Sequence, residues 1–217
     1  MKKILKYTAA LLLIIVVAAA GFYNIWFLRQ PKRNIPGNEH LFVSPANGQV
    51  VSITKWNAAM LTVLKKEDGF INLWTKDVDT AGTMISIQMT PMHVHYQRAP
   101  LAATVLAHRH EAGDFNNAIN MSNEYGIRHE NEHNEILFTT NNGLRFKVIQ
   151  IAGFVARRIE DYVKEKQQVK QGEVIGLIKL GSQVTILLPH GVDVNVHKGE
   201  TVIDGETVLA TIPQVTP

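Results

Sequence analysis

The sequence predicts a mainly β (α+β) protein: a barrel-sandwich-like β domain with one or two short helices, preceded by an N-terminal transmembrane helix. Three observations predict this fold. The first 27 residues are dominated by an apolar run, and after Pro36 short apolar or alternating runs are separated by turn signals. A V-x-x-G-E pattern then begins at Val169 and again at Val196, which is typical of barrel-sandwich domains. No low-complexity linker divides the strands, so we expect one domain.

The N-terminal segment predicts a membrane anchor. Residues 8–27 are almost uninterrupted apolar sequence, about long enough to cross a hydrocarbon core of ~30 Å, and Tyr23 and Trp26 fit an interfacial aromatic belt. We therefore divide the chain into an anchor with basic flanks, 1–36, and a globular domain, 37–217. A secretory signal peptide cleaved after the alanines at 18–20 is the alternative. The anchor is favoured because the apolar run continues past those alanines.

The strands of the globular domain follow in order. They are predicted near 49–54, 60–65, 69–75, 84–89, 102–107, 134–140, 144–152, 172–180, 183–188 and 200–212. Asn-Gly at 47–48 and Asn-Asn-Gly at 141–143 predict hairpin-type turns. One helix is predicted at 154–164, where Phe154, Val155, Ile159 and Val163 recur at helical spacing.

Composition excludes several functions. The chain has no cysteine, which excludes disulfides, a thiol nucleophile and a thiolate zinc site. Six of the 22 lysines and arginines lie before residue 37, but none of the 19 acidic residues does. The globular domain is therefore mildly acidic, which argues against nucleic acid as a partner, whereas the basic flanks favour anionic lipid headgroups.

Six sequence blocks along the chain carry a resemblance to a known family. They are FLRQPKRNIP at 27–36, SPANG at 44–48, MTPMHVHYQRAP at 89–100, ENEHN at 130–134, QIAGFVARRI at 150–159 and LGS at 180–182. In this order they resemble the short, pyruvoyl-dependent phosphatidylserine decarboxylases, whose corresponding elements include SPADG, MSPxDVHxNRAP, ENERN and QIAGLVARRI. By itself the Gly-Ser pair would indicate only a bulge or bend in a strand.

The resemblance implies an activity and a cofactor. The chain would cleave itself between Gly181 and Ser182 into a beta chain, 1–181, and an alpha chain, 182–217. Ser182 would become a pyruvoyl group that forms a Schiff base with phosphatidylserine and supports its decarboxylation to phosphatidylethanolamine. The partners implied are a phospholipid substrate, the cell membrane and the two fragments of the chain as a heterodimer, with further oligomerisation open. The catalytic domain would face the cytoplasm.

The resemblance also implies site residues. His95 matches the histidine of the DVH element and would be the general acid and base. Asn47 stands where SPADG has aspartate, and His93 stands where DVH has aspartate, so the role of Asn47 is in doubt. If that carboxylate orients the histidine, maturation is slow here or uses His93, Asp114 or Glu132. No metal is implied.

Three arginines are candidates for binding the substrate's phosphate or carboxylate: Arg98, Arg157 and Arg158. For Arg157 and Arg158, surface ion pairing is an equally good interpretation.

Three other functions stay open. His93 and His95, with His108, His110 and Glu111, could ligate a metal in a hydrolase. A membrane-tethered barrel-sandwich adaptor would have no catalysis. A decarboxylase homologue that has lost maturation is made credible by Asn47.

Overall fold

The computed structural model describes residues 2–57, 75–113, 131–153, 158–179 and 182–214. The strand predicted near 60–65, and all but the last residue of the one near 69–75, lie outside these ranges. An α-helix, α1 (Lys2–Gly21), is followed by a π-helical turn, Phe22–Phe27. The segment Lys3–Phe27 is long and apolar enough to cross a membrane, a property that signal sequences share. Most of its side chains are exposed, but Phe27 at its end is fully buried.

In the rest of the described chain almost all regular secondary structure is β-strand, which confirms the predicted fold class. They are β1 (Leu41–Val43), β2 (Gly48–Asn57), β3 (Ala81–Met89), β4 (Tyr96–Arg98), β5 (Ala103–Glu111), β6 (His133–Thr139), β7 (Arg145–Ile151), β8 (Ile159–Asp161), β9 (Gln168–Val169), β10 (Val174–Ile178), β11 (Ser182–Pro189), β12 (Asp193–Val194), β13 (Thr201–Val202) and β14 (Val208–Thr211). An eight-stranded sheet has the order β13-β2-β3-β11-β7-β6-β5-β9 and curls into a half-barrel. Two three-stranded sheets, β1-β14-β12 and β4-β10-β8, complete the fold.

Strand β11 lies in the middle of the large sheet. It pairs antiparallel with β3 on one side and with β7 on the other, and all of its residues are buried. Side chains alternate between the two faces, as the strand period requires. Val184 and Ile186 join the main core, whereas Leu187 joins a smaller cluster with Trp56 and Ile149 on the opposite face. The first residue of β11, Ser182, pairs with Met89 of β3, and the next residue, Gln183, has a partner on each side, in β3 and in β7.

Two local predictions were wrong. In the described part of 154–164 there is no helix, because Ile159–Asp161 is strand β8 and pairs with Gly176, Leu177 and Ile178 of β10. This backbone pairing with a distant segment overrides the helical spacing of the apolar residues. Asn47-Gly48 is not a hairpin turn, because β1 pairs with β14 and β2 pairs with β3 and β13.

Other local predictions were confirmed or refined. The turn at 141–143 does join β6 and β7 as a hairpin, with Gly143 at φ 83°. The predicted strand 200–212 is divided into β13 and β14 by a turn in which Gly205 has φ 76°.

The V-x-x-G-E pattern is a recurring turn. Gly172 and Gly199 have φ values of 77° and 92°, a conformation that L side chains rarely adopt. The carboxylates of Glu173 and Glu200 accept the backbone N–H three residues earlier, at distances of 2.8 and 3.1 Å. The pattern thus encodes turn geometry, as its interpretation as architecture requires.

A further copy of this turn has no glycine. The backbone N–H of Lys164 donates to Gln167 Oε1 at 3.1 Å, and Lys166 occupies the glycine position with φ 68°. It is the one non-glycine residue with positive φ in the described part of the chain. The sequence hides this copy because lysine and glutamine replace glycine and glutamate.

Candidate active site

Ser182 lies at the end of the sheet where β11 begins and β3 ends. Its register partner is Met89, and both residues are fully buried. Ser182 Oγ donates a hydrogen bond to Met89 Sδ at 3.4 Å. Gly181, the other predicted residue of the cleavage site, lies outside the described residues. The hydroxyl is therefore shielded from solvent and held by a weak, uncharged acceptor.

His95 lies in the segment that connects β3 to β4, and it is fully buried. Its backbone carbonyl accepts the N–H of Ile178, at the end of β10 and shortly before Ser182 in the chain. Its Nδ1 is 2.9 Å from the carbonyl oxygen of His93, so Nδ1 carries the proton and donates. His95 Nε2 is then a lone-pair acceptor, and it is buried without a hydrogen-bond partner among the described residues.

The surroundings of His95 keep it neutral. The pKa of His95 is lowered to about 4, mainly by burial and to a smaller extent by the nearby charges of His93 and Arg29, whereas the bond to the His93 carbonyl opposes the shift. Near neutral pH the imidazole is therefore an unprotonated base with a free nitrogen. That is the state in which a histidine can accept a proton from a hydroxyl.

The end of the N-terminal helix covers this histidine. The Phe27 ring lies 4.1 Å from the His95 ring, centroid to centroid, with a tilt of 36°. Tyr23 stacks on Phe27 at 5.5 Å. Arg29 Nη2 donates to the Met92 carbonyl at 2.6 Å, which fixes the end of the anchor to the loop that carries His95. The sequence interpretation did not assign these roles to Phe27 and Arg29, although both lie in the first motif block.

Asn47 lies at the same end of the sheet as Ser182. Gln49 of β2 and Gln183 of β11 both pair with Gln88 of β3, on opposite sides of that strand. Asn47 precedes Gln49 by two residues, so its backbone lies near the end of β3 that carries Met89. Because β3 lies between β2 and β11, Asn47 is about two strand spacings, or ~10 Å, from β11. Asn47 is half-buried.

His93 is engaged locally. Its Nδ1 accepts the backbone N–H of Thr90 at 2.9 Å, which closes the turn after β3. Burial and the charge of Arg29 lower the pKa of His93. A neutral, locally bonded imidazole cannot supply the negative charge of the missing aspartate. Of the other candidates, Asp114 lies outside the described residues, and Glu132 is half-buried with its backbone carbonyl bonded to Ala152.

The three candidate arginines have different environments. Arg98 is buried; its Nε donates to Asp204 Oδ2 at 2.7 Å and its Nη1 to the Gly172 carbonyl at 2.8 Å. Arg33 donates to the other oxygen of Asp204. Arg98 is thus a structural cation in this conformation, and its role in substrate binding stays a prediction. Arg158 is exposed, and Arg157 lies outside the described residues.

The histidines of the metal hypothesis are not brought together. His108 forms an ion pair with Asp161 at 3.2 Å, which raises the pKa of His108, and His110 bonds to the side chain of Asn134. His93 and His95 use their Nδ1 atoms for the bonds given above. In the ranges that the structure describes, no cluster of three or more histidine, aspartate or glutamate side chains is arranged to hold a metal ion.

Comparison with known proteins agrees with the motif blocks. The family model for phosphatidylserine decarboxylase matches residues 22–210. A protein named phosphatidylserine decarboxylase proenzyme from Streptomyces coelicolor is 40% identical over 189 residues, which cover 87% of this chain and 72% of that protein. Proteins of the same name from Streptomyces griseus and from the Wolbachia of Brugia malayi are 39% and 34% identical, covering 92% and 86% of this chain and 78% and 74% of those proteins.

Proposed function

Since this chain belongs to the phosphatidylserine decarboxylase family, we propose that it decarboxylates phosphatidylserine to phosphatidylethanolamine with a pyruvoyl group made from its own Ser182. The proposal includes self-cleavage of the bond between Gly181 and Ser182. The main alternative is a homologue that folds in the same way but does not mature.

One observation carries the proposal: a buried serine hydroxyl occurs at the same end of the sheet as a buried histidine nitrogen that has no hydrogen-bond partner among the described residues. Ser182 and His95 are both fully buried, and the backbone of His95 is bonded to Ile178, just before the cleavage site in the chain. A neutral imidazole with a free Nε2 suits removal of the serine proton. The residues present therefore fit the formation of the pyruvoyl group.

Maturation begins with an attack by the serine hydroxyl on the preceding carbonyl group. Ser182 Oγ bonds to the Gly181 carbonyl carbon while His95 accepts the hydroxyl proton. The C–N bond then breaks and the nitrogen of Ser182 takes up a proton, so that an amide becomes an ester without change in composition. Loss of the α-proton of residue 182 breaks the Cβ–Oγ bond and releases 1–181 with a carboxylate at Gly181. The new end of 182–217 takes up water and loses ammonia, which leaves a ketone.

The finished site uses the same residues. The pyruvoyl carbonyl would supply the electron sink that protein side chains lack when CO₂ departs. His95, kept neutral by burial, can hold and return the proton that replaces the carboxylate. Asn47 is the remaining residue of the family's site pattern, and its amide can hydrogen-bond but cannot carry charge.

The membrane anchor supports a lipid substrate. The last turn of the apolar helix, Phe22–Phe27, ends with Phe27 against His95. If this helix crosses the membrane, the site lies within one side chain of the interface, where a phospholipid headgroup is found. We propose a single N-terminal anchor in the cell membrane with the catalytic domain facing the cytoplasm. Arg158, which is exposed, stays the candidate for the headgroup's phosphate.

The test compares Ser182→Ala with Ser86→Ala in full-length protein purified in detergent. Ser86 is an equally buried serine of β3 that hydrogen-bonds Thr185 at 3.1 Å, so it controls for the loss of a buried hydroxyl. Gel electrophoresis and intact mass should show two chains for the wild type and for Ser86→Ala, and one for Ser182→Ala. Borohydride should reduce a carbonyl at residue 182 of the short chain, and phosphatidylserine in mixed micelles should lose CO₂.

The outcomes separate the alternatives. Cleavage that persists in Ser182→Ala would eliminate the serine-derived cofactor. A wild-type chain that stays intact and inactive identifies a maturation-deficient homologue or an adaptor.

A further inference from the structure

A chain of buried side chains behind Ser182 has no role in the reaction as written above. Ser182 Oγ donates to Met89 Sδ, and Gln97 Nε2 approaches the same sulfur at 3.9 Å. Gln97 Nε2 also donates to the His95 carbonyl at 2.7 Å. Gln150 Nε2 donates to Gln97 Oε1 at 2.8 Å. These side chains are all fully buried, so each hydrogen bond lies in a low-dielectric interior.

The thioether is an unusual partner for a buried hydroxyl. Sulfur in methionine is a weak acceptor and cannot take the proton. It therefore holds the serine oxygen in one of the three staggered rotamers without competing with a base for the hydroxyl proton. An amide or carboxylate acceptor at this place would bind the hydroxyl more strongly and oppose its attack on a carbonyl.

Gln97 connects the nucleophile to the base. One amide nitrogen contacts both the sulfur that holds Ser182 and the backbone carbonyl of His95. The backbone of Gln97 is also fixed, because β4 pairs with β10 and places Gln97 opposite Gly176. A Cβ atom added to Gly176 would lie 2.5 Å from Gln150 Nε2, so the glycine leaves room for the Gln150 amide to reach Gln97.

We infer that Met89 and Gln97 are positioning residues for self-cleavage: the Met89 thioether orients the Ser182 hydroxyl, and Gln97, supported by Gln150, holds that thioether and the His95 backbone in register. This inference rests on the proposed function. The rate of maturation then depends on uncharged contacts of Met89, Gln97 and Gln150 that do not exchange protons with the reacting atoms.

The first test is Met89→Leu, with Met84→Leu as matched control. Both methionines are buried in β3, but Met84 points to the opposite face of the sheet, in the smaller core cluster. Leucine keeps the apolar volume and removes the acceptor. We expect Met89→Leu to slow precursor cleavage about three- to tenfold, the loss of one modest hydrogen bond, and Met84→Leu to stay within about twofold of wild type.

The second test is Gln97→Leu, with Gln97→Asn as the conservative variant that keeps the amide. Leucine removes the bonds to Met89, His95 and Gln150 together, so we expect cleavage at least about tenfold slower, and partial recovery with asparagine. In the double variant of Met89→Leu and Gln97→Leu, the fold reduction in cleavage rate should be smaller than the product of the two single reductions, because both residues act on one hydroxyl. In these variants the rate of self-cleavage on the plateau of its pH profile should fall. The pH at the midpoint of that profile, which is set by His95, should not change.

Several results would overturn the inference. Melting temperatures measured on each precursor separate slow chemistry from poor folding. Cleavage of Met89→Leu at the wild-type rate would refute the role of the thioether, as would an equal slowing by Met84→Leu with an equal loss of melting temperature. In both cases a cleaved wild type and an intact Ser182→Ala keep the proposed function valid. A wild-type chain that never cleaves overturns the proposed function and this inference with it.

Discussion

Replacing Phe27 with leucine should raise the pKa of His95 and move the acid limb of self-cleavage to higher pH. The Phe27 ring lies 4.1 Å from the imidazole, and both side chains are fully buried. Burial is the largest cause of the lowered pKa of His95, ahead of the charges of His93 and Arg29. A smaller side chain at position 27 lets water approach the imidazole and lessens the cost of protonating it.

The expected size of the pKa shift of His95 lies between two limits, its present value and the ordinary value of a histidine. The pKa of His95 is lowered from 6.5 to about 4. Removing all of the burial could at most restore the ordinary value, and leucine retains part of the apolar cover. We therefore expect the acid midpoint to rise by about one pH unit, which corresponds to about 1.4 kcal/mol of differential stabilisation.

The same shift affects folding, and its sign is fixed by proton linkage. Because the pKa of His95 is lower in the folded state, the unfolded chain binds a proton between pH 6.5 and about 4 that the folded chain does not bind. This group therefore makes the fold less stable as the pH falls through that window. Leucine at position 27 should weaken this dependence, so unfolding must be followed at each pH.

The assay measures loss of the precursor in detergent from about pH 4 to about pH 8, a range that spans the titration of histidine. Tyr23→Leu is the matched control, because Tyr23 stacks on Phe27 at 5.5 Å but is itself only half-buried. Its midpoint should equal that of the wild type. A midpoint that does not move in Phe27→Leu, or that moves equally in Tyr23→Leu, would refute the assignment of His95 as the base covered by Phe27.

Three further predictions concern stability and rate. Lys166→Gly should raise the free energy of unfolding, measured in urea, by about 0.5–1 kcal/mol, because Lys166 has φ 68°, a conformation that glycine adopts without strain. Gly199→Ala should lower the free energy of unfolding by about as much, because Gly199 has φ 92° and the space around it is open, so only the backbone conformation opposes the alanine. Asp204→Asn should lower it by about 3–5 kcal/mol, because Arg98 keeps its charge in the interior without a counterion; a loss below about 1 kcal/mol would contradict the buried pair. Asn47→Asp should speed self-cleavage about tenfold if a carboxylate there stabilises the imidazolium of His95, and an unchanged rate would show that this chain matures without one.

The sequence predicted the strands better than the connections between them. Residues of β3 alternate between the main core, with Ile85 and Ile87, and the opposite face, with Met84 and Ser86, and this period is visible in the sequence. The 154–164 segment has no such alternating pattern of apolar residues. In its described part the helical spacing was overridden by the pairing of Ile159–Asp161 with β10, a distant segment that the local pattern does not include.

Site residues could be chosen from the sequence where a motif carries the chemistry, but contacts between distant parts of the chain could not be predicted. Ser182 and His95 could be chosen from their blocks, and the structure brings their segments together through Ile178. Arg98 was predicted to bind the substrate, and that role stays a prediction, but nothing in the sequence indicated its bond to Asp204, which lies 106 residues away. The contact of Phe27 with His95 likewise depends on how the anchor enters the domain, which no local pattern encodes.

The position of the proposed cut explains how the chain can break without falling apart. Fragment 182–217 carries β11, β13 and β14, and each of these pairs with a strand of fragment 1–181. Its first strand, β11, is enclosed by β3 and β7, so release of the fragment would require opening the centre of the large sheet. Breaking the bond before Ser182 therefore frees only the new terminus, while the sheet keeps that terminus beside Met89. A cofactor made from the backbone needs this arrangement, because the reaction that creates it also removes the covalent link that held it in place.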